Sequence, residues 1–361
     1  MKPPKAVQYN EALVFRAVEL LFAKRGEDSA RLRMKEIADQ LNKEFGPNPK
    51  VTRETLYPLA EEAVRRGFVH LTPPISQALR EELVGRFPDL RGAEVDVVKT
   101  SGRRDTVKVA AVAAERAFDA VVRIARTKGS QPVGIGLGPG RATLEFCRIL
   151  SERLEAHHEQ LRLRLVAITA GCPVRLLENA PISFLNLFPE RLVESKLGLF
   201  AETLVPAGEF KRLHSHTGIK DAFAAKKDID LVVTAMGDFD DPHDLLSLFL
   251  KDSGQDLAEL RRRGWLGNVQ YRPFTATGPV KEGPRELRAV TVFELADLVD
   301  LARNPDKAVI LMARQCGLCP RPRAGALLSH PSLKVFSRLV LDQATATELL
   351  KTEVESPPSK V

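Results

Sequence analysis

Cysteine is scarce in this chain: Cys147, Cys172, Cys316 and Cys319 are four among 361 residues. So few thiols do not build a disulfide framework. Only Cys316-Gly-Leu-Cys319 has ligand spacing, with neither a second such pair nor two suitably spaced histidines nearby. Two ordinary thiols beside a turn therefore outrank a zinc site or a redox pair. Long apolar runs are missing as well, and nothing approaches the ~20 residues of a membrane-spanning helix. The N-terminal stretch MKPPKAVQYNEALVFRAVELLF is interrupted by Glu11, Arg16 and Glu19 and offers no small-residue cleavage site. It does not read as a secretory signal, so a cytoplasmic location is expected. His157-His158, His214 and His216, and His243 fall in separate polar segments without a shared acidic partner. They read as solvated side chains, and Asp238-Phe239-Asp240-Asp241 reads as an acidic surface turn rather than an ion site. No metal and no cofactor are expected. The one tryptophan, Trp265, follows Arg261-Arg262-Arg263 and reads as a loop anchor.

What is present is a chain long enough for two domains, with 44% hydrophobic and 28% charged residues, ordinary values for a globular protein. The net charge of +7 inclines it towards polyanions. Residues 1–74 carry 13 Lys/Arg against 10 Asp/Glu, a surplus of 3, so charge permits nucleic-acid binding without requiring it.

Residues 11–25 place Leu13, Val14, Ala17, Val18 and Leu21 on one helical stripe, and residues 33–45 repeat the pattern with Met34, Ile37, Ala38 and Leu41. The breakers Gly46-Pro47-Asn48-Pro49 mark a turn. Thr52 then suits an N-cap for a third helix over 53–66, with Leu56, Leu59, Ala60 and Ala63 inward. FVHLT follows as a short strand. Three short helices and a strand outline a winged helix-turn-helix, whose second helix of the pair enters the major groove. The expected DNA contacts are Lys50, Thr52, Arg53, Thr55 and Tyr57, with Arg33 and Lys35 reaching the backbone from the preceding helix. Arg53 suits a guanine edge and Lys50 a phosphate. Pro58, in the second turn of a helix starting at Thr52, would kink or shorten it. A protein-docking module with a solvated charged face is the competing reading of this triplet.

Pro73-Pro74 marks a domain boundary. Residues 76–91 read as a connecting helix, AEVDVVKT as a strand and residues 106–126 as a long amphipathic helix. PVGIGLG, LRLVAIT, LFAETLVPAG and DIDLVVTAMG read as strands alternating with helices such as ATLEFCRILSERLEAHHEQL. The class is α/β, with a mostly parallel sheet covered on both faces. The tail from residue 351 reads as flexible.

PVGIGLGPGRATLEF joins a strand to a helix with Gly134, Gly136, Gly138 and Gly140 in alternation. Backbone amides and a helix N-terminus, with Arg141 and Thr143 beside them, suit a phosphate. No Gly-Lys-Ser/Thr follows, and the spacing is not that of a dinucleotide fingerprint. A tight strand-to-helix turn is the simpler alternative.

VTRETLYPLAEEAVRRGFV resembles the recognition helix of SorC-type sugar-binding transcriptional regulators, and GIGLGPGRATLEF is similar to their effector loop. DIDLVVTAMGDF, GWLGNVQYRPFTATG and LVLDQATATELL resemble their later motifs, in the family's order, over roughly residues 33–350. The resemblance implies an effector domain related to sugar-phosphate isomerases and deaminases. It divides the chain into a DNA-binding domain (1–74), an effector and oligomerisation domain (75–350) and a tail. It also implies phosphate contacts from Gly136, Gly138, Gly140, Arg141 and Thr143, and a sugar end formed by Gly237, Asp238, Asn268, Asp342 and Gln343.

Departures from the family pattern are visible. Ala142 intervenes between arginine and threonine, and Met236-Gly237-Asp238 replaces Gly-Ile-Gly. Asn268 and Gln343 stand where carboxylates are usual, and ARQCGLCPRPRAGALL replaces a lysine-bearing segment. Asp342 also suits an N-cap. The leading expectation is a non-enzymatic regulator of double-stranded DNA, controlled by a phosphorylated sugar, as a homodimer or homotetramer. The alternatives are an isomerase- or deaminase-like enzyme or pseudo-enzyme, disfavoured by the lost acid-base groups, and a regulator that has exchanged its ligand.

Overall fold

The structure, a computed structural model, describes residues 9–22, 32–69, 72–100, 105–156, 161–171, 176–314 and 324–351. Cys172, Cys316, Cys319, His157-His158 and the expected tail beyond Lys351 lie outside the described residues. Contacts divide the chain into two compact units, Met1–Leu71 with Ala156–His158, and the remainder.

The first unit contains α1 (Glu11–Phe22), α2 (Met34–Phe45) and α3 (Leu56–Arg65). Their apolar stripes meet in one core of Leu13, Val14, Ala17, Val18, Ile37, Ala38, Leu41, Val51, Leu56, Leu59 and Ala63. The Arg16 guanidinium reaches from α1 to Glu44 on α2 at 2.9 Å. Asn42 pins the α2–α3 turn, its Nδ2 donating to the Val51 carbonyl (2.7 Å) and its Oδ1 accepting the Val51 N–H (2.8 Å).

Two expectations are corrected here. The third helix starts at Leu56, and Thr52 is not its cap. Pro58 would clash with the carbonyl four residues earlier and offers it no N–H, so regular helix begins where Pro58 falls in the first turn. Of the two outcomes expected of Pro58, the helix is shortened rather than kinked. The other concerns FVHLT: Phe68 and Val69 form a bend, not a strand, with Phe68 packed edge-on against Phe15 at 5.7 Å. Residues 70–71 lie outside the described residues.

The second unit begins with α4 (Gln77–Arg86), β1 (Glu94–Val98), α5 (Asp105–Lys128), β2 (Val133–Leu137), α6 (Arg141–Glu155), β3 (Leu163–Ala167), α7 (Pro181–Phe184) and β4 (Val193–Leu197). It continues through β5 (Leu204–Pro206), α8 (Phe210–Leu213), α9 (Lys220–Ala224), β6 (Leu231–Asp238), α10 (Leu245–Asp252) and α11 (Leu257–Arg262). Then come β7 (Gly267–Val269), β8 (Arg272–Thr275), β9 (Gly278–Pro279) and β10 (Leu287–Ala289). The last elements are α12 (Leu295–Arg303), β11 (Ala308–Ala313), α13 (Gly325–Ser329), β12 (Arg338–Asp342) and α14 (Gln343–Lys351).

Seven strands form a parallel sheet in the order β1-β12-β11-β6-β2-β3-β4. Runs such as VGIGL and AVILMA are buried throughout, as a sheet covered on both faces demands. Successive residues feed opposite layers. Val232, Leu311 and Leu339 pack with α4, α12, α13 and α14, while Leu231, Val233, Ile310 and Val340 pack with α5, α6 and α7. Each such side chain contributes roughly 1.5–3 kcal/mol through burial. The long strand expected over LFAETLVPAG shrinks to β5, which pairs with β10 in a separate antiparallel ribbon.

Candidate functional site

From β2 the chain steps outward to β3 and β4, and from β6 it steps the other way to β11 and β12. The winding of the sheet therefore reverses between β2 and β6, and ligands of open parallel sheets lodge at the carboxyl ends of the strands beside such a reversal. The β2–α6 loop, Gly138-Pro139-Gly140, lies there.

Its glycines divide by role. A Cβ on Gly136 would meet Ile168 Cγ2 at 2.9 Å, and one on Gly138 would meet Thr234 Oγ1 at 2.3 Å. These residues let β2 lie close to its neighbours, and Gly136 is embedded in the sheet rather than facing a ligand. The Gly138 N–H donates to the Val233 carbonyl (2.9 Å) and the Gly140 N–H to the Asn179 carbonyl (3.0 Å). Only Gly140, with φ of 109°, needs glycine for its conformation.

The unpaired donors are one step further on. Helical bonding in α6 starts with the Leu144 N–H to the Gly140 carbonyl at 3.1 Å, and the amides of Arg141, Ala142 and Thr143 have no partner among the described residues. Such a helix start attracts an anion. Arg141 is exposed and forms no ion pair among the described residues, so its guanidinium is free to meet a ligand. Thr143 is fully buried and its hydroxyl donates to the Pro139 carbonyl at 3.3 Å. Asn179, which carries no signal in the sequence, closes the loop through its carbonyl, while its side-chain Oδ1 is buried without a partner among the described residues.

The expected sugar-end residues form two other corners of the same sheet edge. Gly237 and Asn268 are cross-strand partners in β6 and β7. A Cβ on Gly237 would sit 2.1 Å from Asp244 Oδ1. The Asn268 Nδ2 donates to that oxygen at 2.8 Å, and the Ser247 N–H and hydroxyl both donate to Asp244 Oδ2 at 2.8 Å. Burial raises the Asp244 carboxyl to about 6. An aspartate at position 268 would place a second carboxylate against the first, so the asparagine is explained by its neighbour and its amide is engaged within the corner. Asp238 Oδ1 accepts the Asp240 N–H at 2.9 Å, inside a turn where Asp240 also pairs with Arg261.

Asp342 ends β12 and accepts the Thr345 N–H at 2.8 Å, so it caps α14. Gln343 is exposed. With β11 and β6 intervening, three strand spacings or roughly 14 Å separate β12 from β2. The β2–α6 loop and the β12–α14 corner are not adjacent. Among the remaining candidates, His214 stacks on Phe223 at 3.9 Å between centroids, and Trp265 packs edge-on against Phe239 at 5.5 Å. No group of three His, Cys, Asp or Glu residues among the described residues could hold a metal ion.

In the first unit, Arg33, Lys35, Lys50, Arg53 and Tyr57 are all exposed. Lys50 and Arg53 form no ion pair among the described residues. Thr52 and Thr55 bond to each other instead: Thr55 Oγ1 accepts the Thr52 N–H (2.7 Å) and donates to the Thr52 carbonyl (3.0 Å). That closed pair shapes the turn into α3.

No family model matches the chain, and no curated protein matches it in sequence. Solved structures do match. The full-length sorbitol operon regulator SorC from Klebsiella pneumoniae is 17% identical, with a TM-score of 0.58, over 95% of this chain and 100% of that one. A transcriptional regulator from Streptococcus pneumoniae is 15% identical with a TM-score of 0.56, over 76% and 95% of the two chains. A probable sor operon regulator from Shigella flexneri is 18% identical with a TM-score of 0.53, over 75% and 98%. The likeness is one of fold, and at that level it meets the resemblance read from the motifs. No helix among the described residues is long and apolar enough to cross a membrane.

Proposed function

We propose that this chain, which has the fold of the SorC-type regulators, is a DNA-binding transcriptional regulator whose DNA affinity is set by a phosphorylated sugar. The observation that carries the reading is the start of α6. Three unpaired amides and an unpaired arginine stand together at the winding reversal of a parallel sheet. Structures of the same fold are described as transcriptional regulators, one of them of a sorbitol operon. Residues 1–74 would hold the operator, with Arg53 and Tyr57 towards the bases and Lys50, Arg33 and Lys35 towards the phosphates. Residues 75–350 would bind the effector and assemble a homodimer or homotetramer matching a two-fold operator. An isomerase or deaminase needs a positioned base. Asp244, the buried carboxyl raised towards neutrality, has both oxygens bonded by Ser247 and Asn268.

The test is a thermal-shift screen of the full chain with inorganic phosphate, ribose 5-phosphate and glucosamine 6-phosphate, followed by mobility shifts on genomic fragments selected by the protein. At least one phosphate should stabilise the protein and alter its DNA affinity. Stabilisation by none, or turnover of either sugar phosphate, would overturn the regulatory reading.

A further inference from the structure

β7 and β8 are joined by the two-residue turn Gln270-Tyr271, closed by the Val269–Arg272 pair. Both central residues have positive φ, 53° and 62°. That is the pattern of a type I′ turn, which favours Asn-Gly or Gly-Gly because a side chain strains it. Here neither residue is glycine. Gln270 is also 1% exposed, and neither its Oε1 nor its Nε2 has a hydrogen-bond partner among the described residues. A hairpin needs neither the strain nor a stranded amide. Orphaned polar atoms in a strained segment point to a ligand that satisfies them.

The register shows what this turn faces. The Gly138 N–H donates to the Val233 carbonyl, and the Phe239 N–H donates to the Leu266 carbonyl. In a regular strand, residues six apart direct these groups to the same edge. β7 therefore occupies the edge of β6 that β2 occupies lower down, beyond the end of β2. It is antiparallel and descends from Asp238–Gly267 to Met236–Val269. Gln270 comes next, level with Ala235, while Gly138 lies one step past the Leu137–Val233 pair, level with Thr234. Turn and phosphate loop thus approach head-on along one edge of β6, within about one strand residue of each other in level, or ~3.3 Å.

We infer that the Gln270 carboxamide recognises the hydroxyl groups of the effector, opposite the phosphate-binding start of α6. This rests on the phosphate reading of that helix. A carboxamide presents an acceptor and a donor side by side, which matches two neighbouring hydroxyls of a sugar phosphate. A ligand without hydroxyls leaves both atoms unpaired, so discrimination against bare phosphate is steep.

The test is calorimetric titration of the full chain and of Gln270→Leu, Gln270→Asn and Arg141→Ala with ribose 5-phosphate, glucosamine 6-phosphate and inorganic phosphate. The intact protein should bind one sugar phosphate at least 10-fold more tightly than inorganic phosphate. Gln270→Leu should abolish that ratio, leave the inorganic phosphate affinity unchanged and melt no earlier, since it removes an unsatisfied amide. Gln270→Asn suits the turn better and should fold at least as well, yet weaken sugar-phosphate binding because its amide is shorter. An unchanged ratio in both Gln270 variants, or an equal loss for sugar and inorganic phosphate, would overturn the inference and leave the α6 site standing. Inorganic phosphate binding with no gain from either sugar would do the same. Absence of any phosphate binding would remove the α6 reading and this inference together.

Discussion

The start of α6 and the corner between β6 and β7 lie on the same edge of one sheet and carry motifs of equal prominence, yet they differ in how their polar groups are used. At α6 three amides and Arg141 have no partner among the described residues. At the corner, Asp244 is bonded by Asn268 and twice by Ser247. Glycine is present at both for different ends. Gly237 makes room for the Asp244 carboxylate, whereas Gly140 turns the chain so that α6 can start open to a ligand. Motif similarity alone does not separate the two places. Hydrogen-bond satisfaction separates an open helix start from a closed corner.

The sharpest way to break this contrast is Asn268→Asp. If the corner is structural, a second buried carboxylate facing Asp244 should lower stability by roughly 3–5 kcal/mol at pH 7, read by chemical denaturation. The loss should shrink below about pH 6 as the pair takes up a proton. A neutral outcome at pH 7 would mean that position 268 faces solvent or ligand.

Next in size is the pH dependence of Asp244 itself. Its folded pKa is raised to about 6 from 3.8, so the protonated form is favoured by folding. The associated stability is full below the unfolded value and is lost as pH rises through about 6, on the order of 3 kcal/mol. Asp244→Asn keeps a capping side chain for α10 and should abolish this decline between pH 4 and 6. A variant with the same profile as the parent would assign the titration to another group.

Arg141→Ala should do the opposite of the corner variants. Stability should change by less than about 0.5 kcal/mol, because the side chain is exposed and unpaired. Phosphate-ligand affinity should fall by ~1.5–3 kcal/mol, a charge-assisted contact, with DNA binding by the ligand-free protein retained. Unchanged affinity in titration would move the phosphate elsewhere. The smallest effect is expected in the first unit, where Arg53→Ala should weaken operator binding by ~1–3 kcal/mol and nonspecific DNA binding by less. Equal losses on both DNAs would make Arg53 a backbone contact.

Much of this was legible from residue pattern. The stripes of α1 and α2 are local, 3.6-residue signals, and the buried five-residue strand runs are equally local. Pro58 shows in the sequence that the third helix is kinked or shortened, and the fold decides for shortening, with Leu56 and Leu59 packed in the core of the first unit. Asn268 looked like a degraded site because its explanation, Asp244, lies 24 residues away. Gln270 carried no signal at all, because a type I′ turn is expected where Asn-Gly stands.

By itself, the amino-acid sequence determined the alternation that makes a parallel sheet, the glycine loop at its reversal and the helical trio at the N-terminus, because periodicity and backbone sterics act over a few residues. Which amides stay unpaired, which carboxyl is buried and which turn faces the loop were decided by the tertiary structure. Those properties depend on partners brought together across the sheet, and the same glycine, asparagine or glutamine is structural or ligand-binding according to what stands opposite it.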